Sequence, residues 1–166
     1  MSSGHFHARY EDEDRARRDY KKYVKNIKVR KFLREIPFRV DRTYDIPYIG
    51  GYSLDGGVIY IDRDLPRALL LGGRKVDVLP FIITHERIEK ALIGCLSFKY
   101  DEAHKLAAYA GHQRLKERGL SIWAYEQVLD PYIKVENINR IPKDLDLAPY
   151  RDSRDSALIK RMKARM

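Results

Sequence analysis

A change of residue pattern near Pro37 constrains the fold of this chain more than any other feature of its sequence. Before that proline, residues 11–35 are strong helix formers with apolar side chains at helical spacing, and they predict one long, basic, amphipathic helix. Residues 38–52 are rich in β-branched and aromatic side chains interrupted by Pro and Gly, and they predict two or three short strands. Because helical spacing returns after Asp77, the sequence predicts an α+β fold.

The remaining elements follow from turn residues and periodicity. Val58–Ile61 is an apolar, β-branched run after a tight-turn sequence, and it predicts a central or ligand-lining strand. Residues 65–73 predict a loop or a short helix. Asp77 is the expected N-cap of a helix that Gly94 would end. Three further helices are expected, at about residues 97–118, at 121–129 and from about Ser153 to the end.

Composition limits the class of protein. A chain of 166 residues can form one domain with a proper core, and we expect an arm at residues 1–10, a domain at 11–150 and a basic helix at 151–166. Its only cysteine, Cys95, excludes an intramolecular disulfide and favours the cytoplasm. No stretch is apolar enough to predict a signal peptide or a membrane span.

The most informative segment is the sequence His-Glu-x-x-Glu at residues 85–89. On a helix, residues four apart point the same way, so His85 and Glu89 can bind one ion, with Glu86 beside them. Both ligand candidates fall on an apolar stripe that should be buried, whereas Arg87 should lie on the other side. Since a buried carboxylate is costly unless something pairs with it, this stripe predicts a metal site.

His104 is the third candidate ligand. It shares a stripe of small residues on the next predicted helix with Ala107, Ala108 and Gly111, and should therefore point inward. If the two helices fold back on each other around Ser97, Glu89 and His104 reach about the same level. The expected ion is zinc or another divalent metal.

The order of strand, connecting segment, His-Glu-x-x-Glu helix and downstream ligand resembles a small zincin metallopeptidase, over about residues 57–119. The resemblance implies a short β-sheet packed on a metal-bearing helix pair. It also implies that His85, Glu89 and His104 bind zinc, that Glu86 is the general base, and that Val58–Ile61 aligns an extended peptide or protein substrate. The second His of the family's motif is here Glu89. With its small size, its basic charge and this residue pattern, the chain also resembles products of phages and prophages.

Other interpretations of the same residues remain open. His104 could hydrogen-bond to Glu89 in a polar cluster that only joins two helices. Asp101-x-x-His104 has a spacing used by di-iron proteins, and Glu86-x-x-Glu89 could face it. The net charge of +9 is concentrated in residues 15–34 and 160–165, which are either solvated helix faces or a surface for non-specific nucleic-acid binding.

Four residues outside the motif, His112, Trp123, Tyr125 and Cys95, also have side chains that can take part in a site. His112 is expected to be exposed, although it could donate a proton, and Trp123 and Tyr125 are expected in the core or in a pocket wall. Cys95 has no paired histidine in the pattern and is not expected to be a nucleophile.

Overall fold

The computed structural model describes residues 10–151 and 156–166, so His5 and His7 of the expected arm lie outside the described residues. The fold is α+β, as the sequence predicts. The chain divides into two compact units, each built from two stretches. We call residues 1–37 with 66–131 the helical unit, and residues 38–65 with 132–166 the sheet unit. A single domain over 11–150 stays a prediction.

The helical unit has five α-helices and a hairpin among its described residues. The helices are α1 (Glu13–Asp19), α2 (Ile27–Glu35), α3 (Leu79–Leu96), α4 (Tyr100–Glu117) and α5 (Ile122–Leu129). The last two match the predicted helices closely. No helix in the described ranges is long and apolar enough to cross a membrane.

The basic segment predicted as one helix is broken. A π-helical segment, Tyr20–Val24, follows α1, and Asn26 then leaves helical geometry and caps α2 by accepting a hydrogen bond from the Lys28 N–H. Asparagine competes with the helix in this way because its short side chain can bond to the backbone. The segment therefore changes direction while Val24 and Val29 stay buried in the core shared with α3 and α4.

The helices α3 and α4 form the centre of the helical unit. Gly94 does not end α3 as expected, because Ser97 adopts the left-handed conformation (φ 56°) and the N–H of Phe98 bonds back to Leu92 O. Small residues on α4 allow close packing. An added Cβ on Gly111 would lie 3.9 Å from the Phe81 carbonyl oxygen of α3.

A β-hairpin precedes α3, where the sequence suggested a loop or a short helix. Its strands, β4 (Ala68–Leu71) and β5 (Arg74–Asp77), pair antiparallel around Gly72 and Gly73, which both have positive φ. Two adjacent residues with positive φ form the type of two-residue turn whose backbone twist matches the right-handed twist of the paired strands. Asp77 bonds to the Leu79 N–H but stands one residue before the N-cap, Val78.

The sheet unit contains a three-stranded sheet and the last helix. Val58–Ile61 (β3) is the central strand, as predicted; it pairs parallel with β1 (Arg39–Asp41) and antiparallel with β2 (Gly50–Tyr52). The helix α6 is described over Ser156–Lys163 and buries Leu158 and Met162.

A lysine and three aspartates join the two stretches of the sheet unit. Lys134 Nζ lies 3.0 Å from Asp45 Oδ1, 2.9 Å from Asp62 Oδ2 and 2.8 Å from Asp64 Oδ2. Asp45 and Asp62 are fully buried. Burial favours the neutral acid, but hydrogen bonds from the Asn139 and Arg140 N–H groups and from Lys134 outweigh it and lower the pKa of Asp45 to about 2.

Candidate metal centre

Three predicted ligands converge where α3 packs on α4. His85 Nε2 lies 3.2 Å from Glu89 Oε2 and 3.2 Å from His104 Nδ1, and His104 Nδ1 lies 2.9 Å from Glu89 Oε2. The three atoms form a nearly equilateral triangle of two nitrogens and one oxygen. Such a donor set suits zinc and similar divalent metals.

The triangle fits a tetrahedral zinc site in size. Ligand atoms about 2.05 Å from a tetrahedral ion are about 3.3 Å from one another. The observed separations of 2.9 to 3.2 Å therefore lie close to those of three ligands on one face of a tetrahedron. A fourth corner of such a site would be available to another group.

Both helices contribute to this convergence through their buried faces. His85 and Glu89 are one turn apart on α3, and their neighbours on the same face, Ile82 and Leu92, are buried. Glu89 has a side chain only 3% exposed, against 20% for His85 and 12% for His104. The cluster is thus closed around the carboxylate and opens to solvent only on its histidine side.

The electrostatics of the cluster favour the protonation states of Glu89 and His85 that can bind a metal ion. Burial would raise the pKa of Glu89, but the hydrogen bonds with His104 and His85 outweigh this effect and lower it to about 2. Burial lowers the pKa of His85, and the hydrogen bond with Glu89 only partly opposes it. A carboxylate and a neutral imidazole are the protonation states that bind a divalent metal.

Glu86, the expected general base, lies on the same helix and is 9% exposed. Its burial, followed by repulsion from the Glu89 carboxylate, raises its pKa well above the ordinary value. The Tyr125 hydroxyl interacts electrostatically with Glu86, and burial and this negative charge raise the pKa of Tyr125. A cation at the triangle would counteract the repulsion and favour the ionised form of Glu86.

Tyr100 belongs to the same cluster, although the sequence pattern did not single it out. Its hydroxyl lies 3.3 Å from His104 Nδ1, and the two rings are 5.3 Å apart at an interplanar angle of 34°. Tyr100 stands one turn before His104 on α4. That spacing was visible in the sequence, but aromatic residues at helical spacing usually belong to a core.

Other candidates take different places. Asp101 is exposed on α4 and is outside the group that could hold an ion, so the di-iron spacing gains no support. Arg87, on the opposite face of α3, has a structural role. Its guanidinium donates hydrogen bonds to Leu33 O at 2.9 Å and to Ile36 O at 3.1 Å and so caps the end of α2.

Two further expectations are corrected. The His112 side chain is only 15% exposed and lies 3.5 Å from the buried Glu126 carboxylate, so it is not a surface histidine. Trp123 is 68% exposed and not a core residue, whereas Tyr125 is buried as expected. The wrong side of α5 was assigned to Trp123 because an eight-residue helix carries too few turns to define its buried face.

A pocket of about 180 Å³ opens between α1, α4 and α5. It is lined by His112, Lys105, Tyr109 and other polar residues, but by none of the three ligand candidates. It is therefore not an access route to the candidate centre.

Comparison of the chain with protein-family models, with curated proteins and with solved structures found no match. The geometry of the cluster is therefore the feature that indicates a function.

Proposed function

We propose that this chain is a zinc-dependent hydrolase of the peptidase type, with His85, Glu89 and His104 as metal ligands and Glu86 as general base. The observation that carries the proposal is the triangle of donor atoms with sides of 3.2, 3.2 and 2.9 Å. Two histidines and one carboxylate with a fourth corner to spare form the ligand set of many catalytic zinc sites.

The roles follow from position and burial. When bound, a zinc ion lowers the pKa of a water molecule to about 7 and polarises a carbonyl group. Glu86 would accept the proton of the attacking water and transfer it to the leaving amine. Since Glu89 is enclosed and hydrogen-bonded by both histidines, it holds them in place as well as supplying negative charge. A peptide or protein substrate remains part of the proposal, as does a cytoplasmic setting. The β3 strand cannot align that substrate by strand addition, because both of its edges are paired, with β1 and with β2.

The test compares purified wild-type protein with a Glu86→Gln variant for zinc content and for cleavage of a mixed peptide library. The proposal expects about one zinc in each protein and cleavage by the wild type alone. Its control is Glu117→Gln, an exposed carboxylate at the end of α4, which should bind zinc and cleave like the wild type. A wild-type protein that binds zinc and cleaves nothing would contradict the enzyme but not the metal centre.

The second candidate function is a non-catalytic assembly protein in which the same cluster joins α3 to α4 and a basic surface binds nucleic acid. It is favoured by one observation: the ten Lys and Arg residues of segment 15–34 are all exposed, and only one acidic residue, Asp19, interrupts them. Such a surface would attract phosphates without reading bases. The outcome of the cleavage experiment distinguishes this function from a hydrolase.

A further inference from the structure

The strand β1 is an exposed edge of the three-stranded sheet. Within the described residues it pairs only with β3, and the sheet order β1-β3-β2 leaves its other side without a strand. Residues 34–40, which lead into β1 and form most of it, are all exposed. Phe38 and Val40 add two large apolar side chains to this edge, 38% and 37% exposed. An edge of this kind can pair with a strand of another chain.

The hydrogen bonds of β1 determine which of its backbone groups face outward. The N–H of Arg39 donates to Gly57 O at 3.0 Å, so the backbone groups of Arg39 face β3. Because consecutive residues of a strand direct their N–H and C=O groups to opposite edges, those of Val40 face away from β3. The described residues provide no backbone hydrogen-bond partner for Val40. A residue placed opposite Val40 in an antiparallel partner strand would therefore exchange two hydrogen bonds with it.

The charges beside Val40 make this edge complementary to itself. When two copies of β1 pair antiparallel with their Val40 residues opposite each other, Arg39 lies opposite the partner's Asp41 and Asp41 lies opposite the partner's Arg39. In such non-hydrogen-bonded pairs the side chains are close together, and opposite charges are stabilising. Arg39 and Asp41 already share one face, with Arg39 Nη1 3.0 Å from Asp41 Oδ2. A parallel arrangement in the same register would instead bring each Arg39 beside the partner's Arg39, which is destabilising.

We propose that β1 is a dimerisation edge, which pairs antiparallel with β1 of a second copy across a two-fold axis between the two Val40 residues. The two three-stranded sheets then form one continuous sheet in the order β2-β3-β1-β1-β3-β2. The opposite edge of the sheet is covered, because the Asp146 N–H donates to Tyr52 O and the Leu54 N–H donates to Asp144 O, both at 2.9 Å. The short edge forms a small interface, so we expect the dimer to depend on concentration. The proposal shares no residue with the candidate metal centre and does not depend on it.

The test measures the oligomeric state of the full chain by sedimentation velocity over a series of concentrations. Arg39→Glu and Asp41→Lys each place like charges opposite each other in their own dimer, so each should weaken self-association at least about tenfold. An equimolar mixture of the two variants restores opposite charges at both positions and should dimerise like the wild type. The control is Lys143→Glu, which reverses an exposed charge of the sheet unit outside β1 and should also dimerise like the wild type.

A second pair of variants tests the backbone hydrogen bonds. Val40→Pro removes the outward N–H but no hydrogen bond to β3, so it should weaken self-association at least about tenfold, whereas Val40→Thr keeps the N–H and should not. Circular dichroism verifies that each variant is folded, and if Asp41→Lys does not fold, the Val40 variants decide. A wild type that stays monomeric at every concentration, or a dimer that persists in Val40→Pro, would overturn the proposal. A mixture of folded charge variants that stays monomeric would overturn it as well.

Discussion

Glu89 Oε2 lies 2.9 Å from His104 Nδ1, although fifteen residues and a change of helix separate them. The contact depends on the turn at Ser97, which reverses the chain and places one turn of α3 beside one turn of α4. His85 joins the pair from the preceding turn of α3, 3.2 Å from each of the two atoms. Each of these three residues is therefore expected to affect one shared property, the binding of an ion.

The first prediction concerns metal content. His85→Ala and His104→Ala should each abolish stoichiometric zinc binding, since each removes one of three ligands, whereas Glu86→Gln should retain it. Elemental analysis of purified protein measures the outcome. His112→Ala is the control, because His112 pairs with Glu126 outside the cluster and its loss should leave the metal in place. Full zinc retention in a protein lacking both His85 and His104 would refute the assignment.

The second prediction concerns stability. A ligand that binds only the folded state raises the free energy of unfolding, by about 2.7 kcal/mol at a hundred times its dissociation constant. Zinc should therefore raise the melting temperature of the wild type, and a chelator should reverse the change. The same titration should not affect His104→Ala. A melting temperature independent of zinc in the wild type would favour a purely polar cluster of Glu89 and His104.

The third prediction concerns the general base. Glu86→Gln preserves size and hydrogen-bonding capacity but cannot accept a proton, so hydrolysis should fall by about a hundredfold to ten-thousandfold while zinc affinity stays within a few-fold. The comparison is made at equal zinc content on the peptide cleaved best by the wild type. Equal cleavage rates in the two proteins would show that Glu86 has another role.

The fourth prediction concerns pH and the sheet unit. Because the pKa of Asp45 is lowered to about 2 in the folded state, its stabilising effect is complete above its ordinary value of 3.8 and is lost as the pH falls through about 2. Asp45→Asn should cost about 2 kcal/mol at neutral pH and progressively less in acid, measured by denaturant unfolding.

The control for this experiment is Asp101→Asn, which changes an exposed carboxylate of α4. It should unfold like the wild type at both pH values. A cost for Asp45→Asn that is the same at neutral and acid pH would mean that packing, and not the ion pairs with Lys134 and Arg63, explains the loss.

The fifth prediction concerns the basic segment. If it binds nucleic acid, the affinity should fall steeply with salt, with a log–log slope of about −0.7 per phosphate contacted on a single strand. Replacing the exposed residues Lys21, Lys25 and Lys28 by Gln should flatten the slope. The same change at the exposed residues Lys75, Lys99 and Lys143, which lie outside this segment, should not. Binding that survives high salt would contradict a purely electrostatic surface.

The parts of the fold that were predicted correctly are those with strong periodicity. The α4 helix has a stripe of small and apolar residues over five turns, and β3 is an uninterrupted β-branched run, so both were located from residue pattern alone. The convergence of His85, Glu89 and His104 was expected for the same reason. A regular helix fixes which side chains share a face.

The features that the sequence did not predict depend on single residues that can adopt more than one backbone conformation or serve more than one role. Gly72-Gly73 was expected to bracket a loop, but positive φ at both residues makes a hairpin turn. Gly94 was expected to end α3, yet Ser97 supplies the left-handed residue three positions later. Tyr100 was missed because an aromatic side chain gives no sign in the sequence of whether its ring or its hydroxyl is used.

The sheet unit is built from two separate stretches of the chain, and this limits the order in which its parts can fold during synthesis. All three strands of this unit end by residue 61. Asp45 and Asp62 can form their ion pairs only after Lys134 has been synthesised. The β-bridge between Ser53 and Leu145 can form only later still. The intervening stretch, residues 66–131, contains α3 and α4, the two helices of the candidate centre. During synthesis α3 and α4 therefore leave the ribosome before the sheet unit can close, so the ligands of the candidate centre can meet while the first strands still lack Lys134.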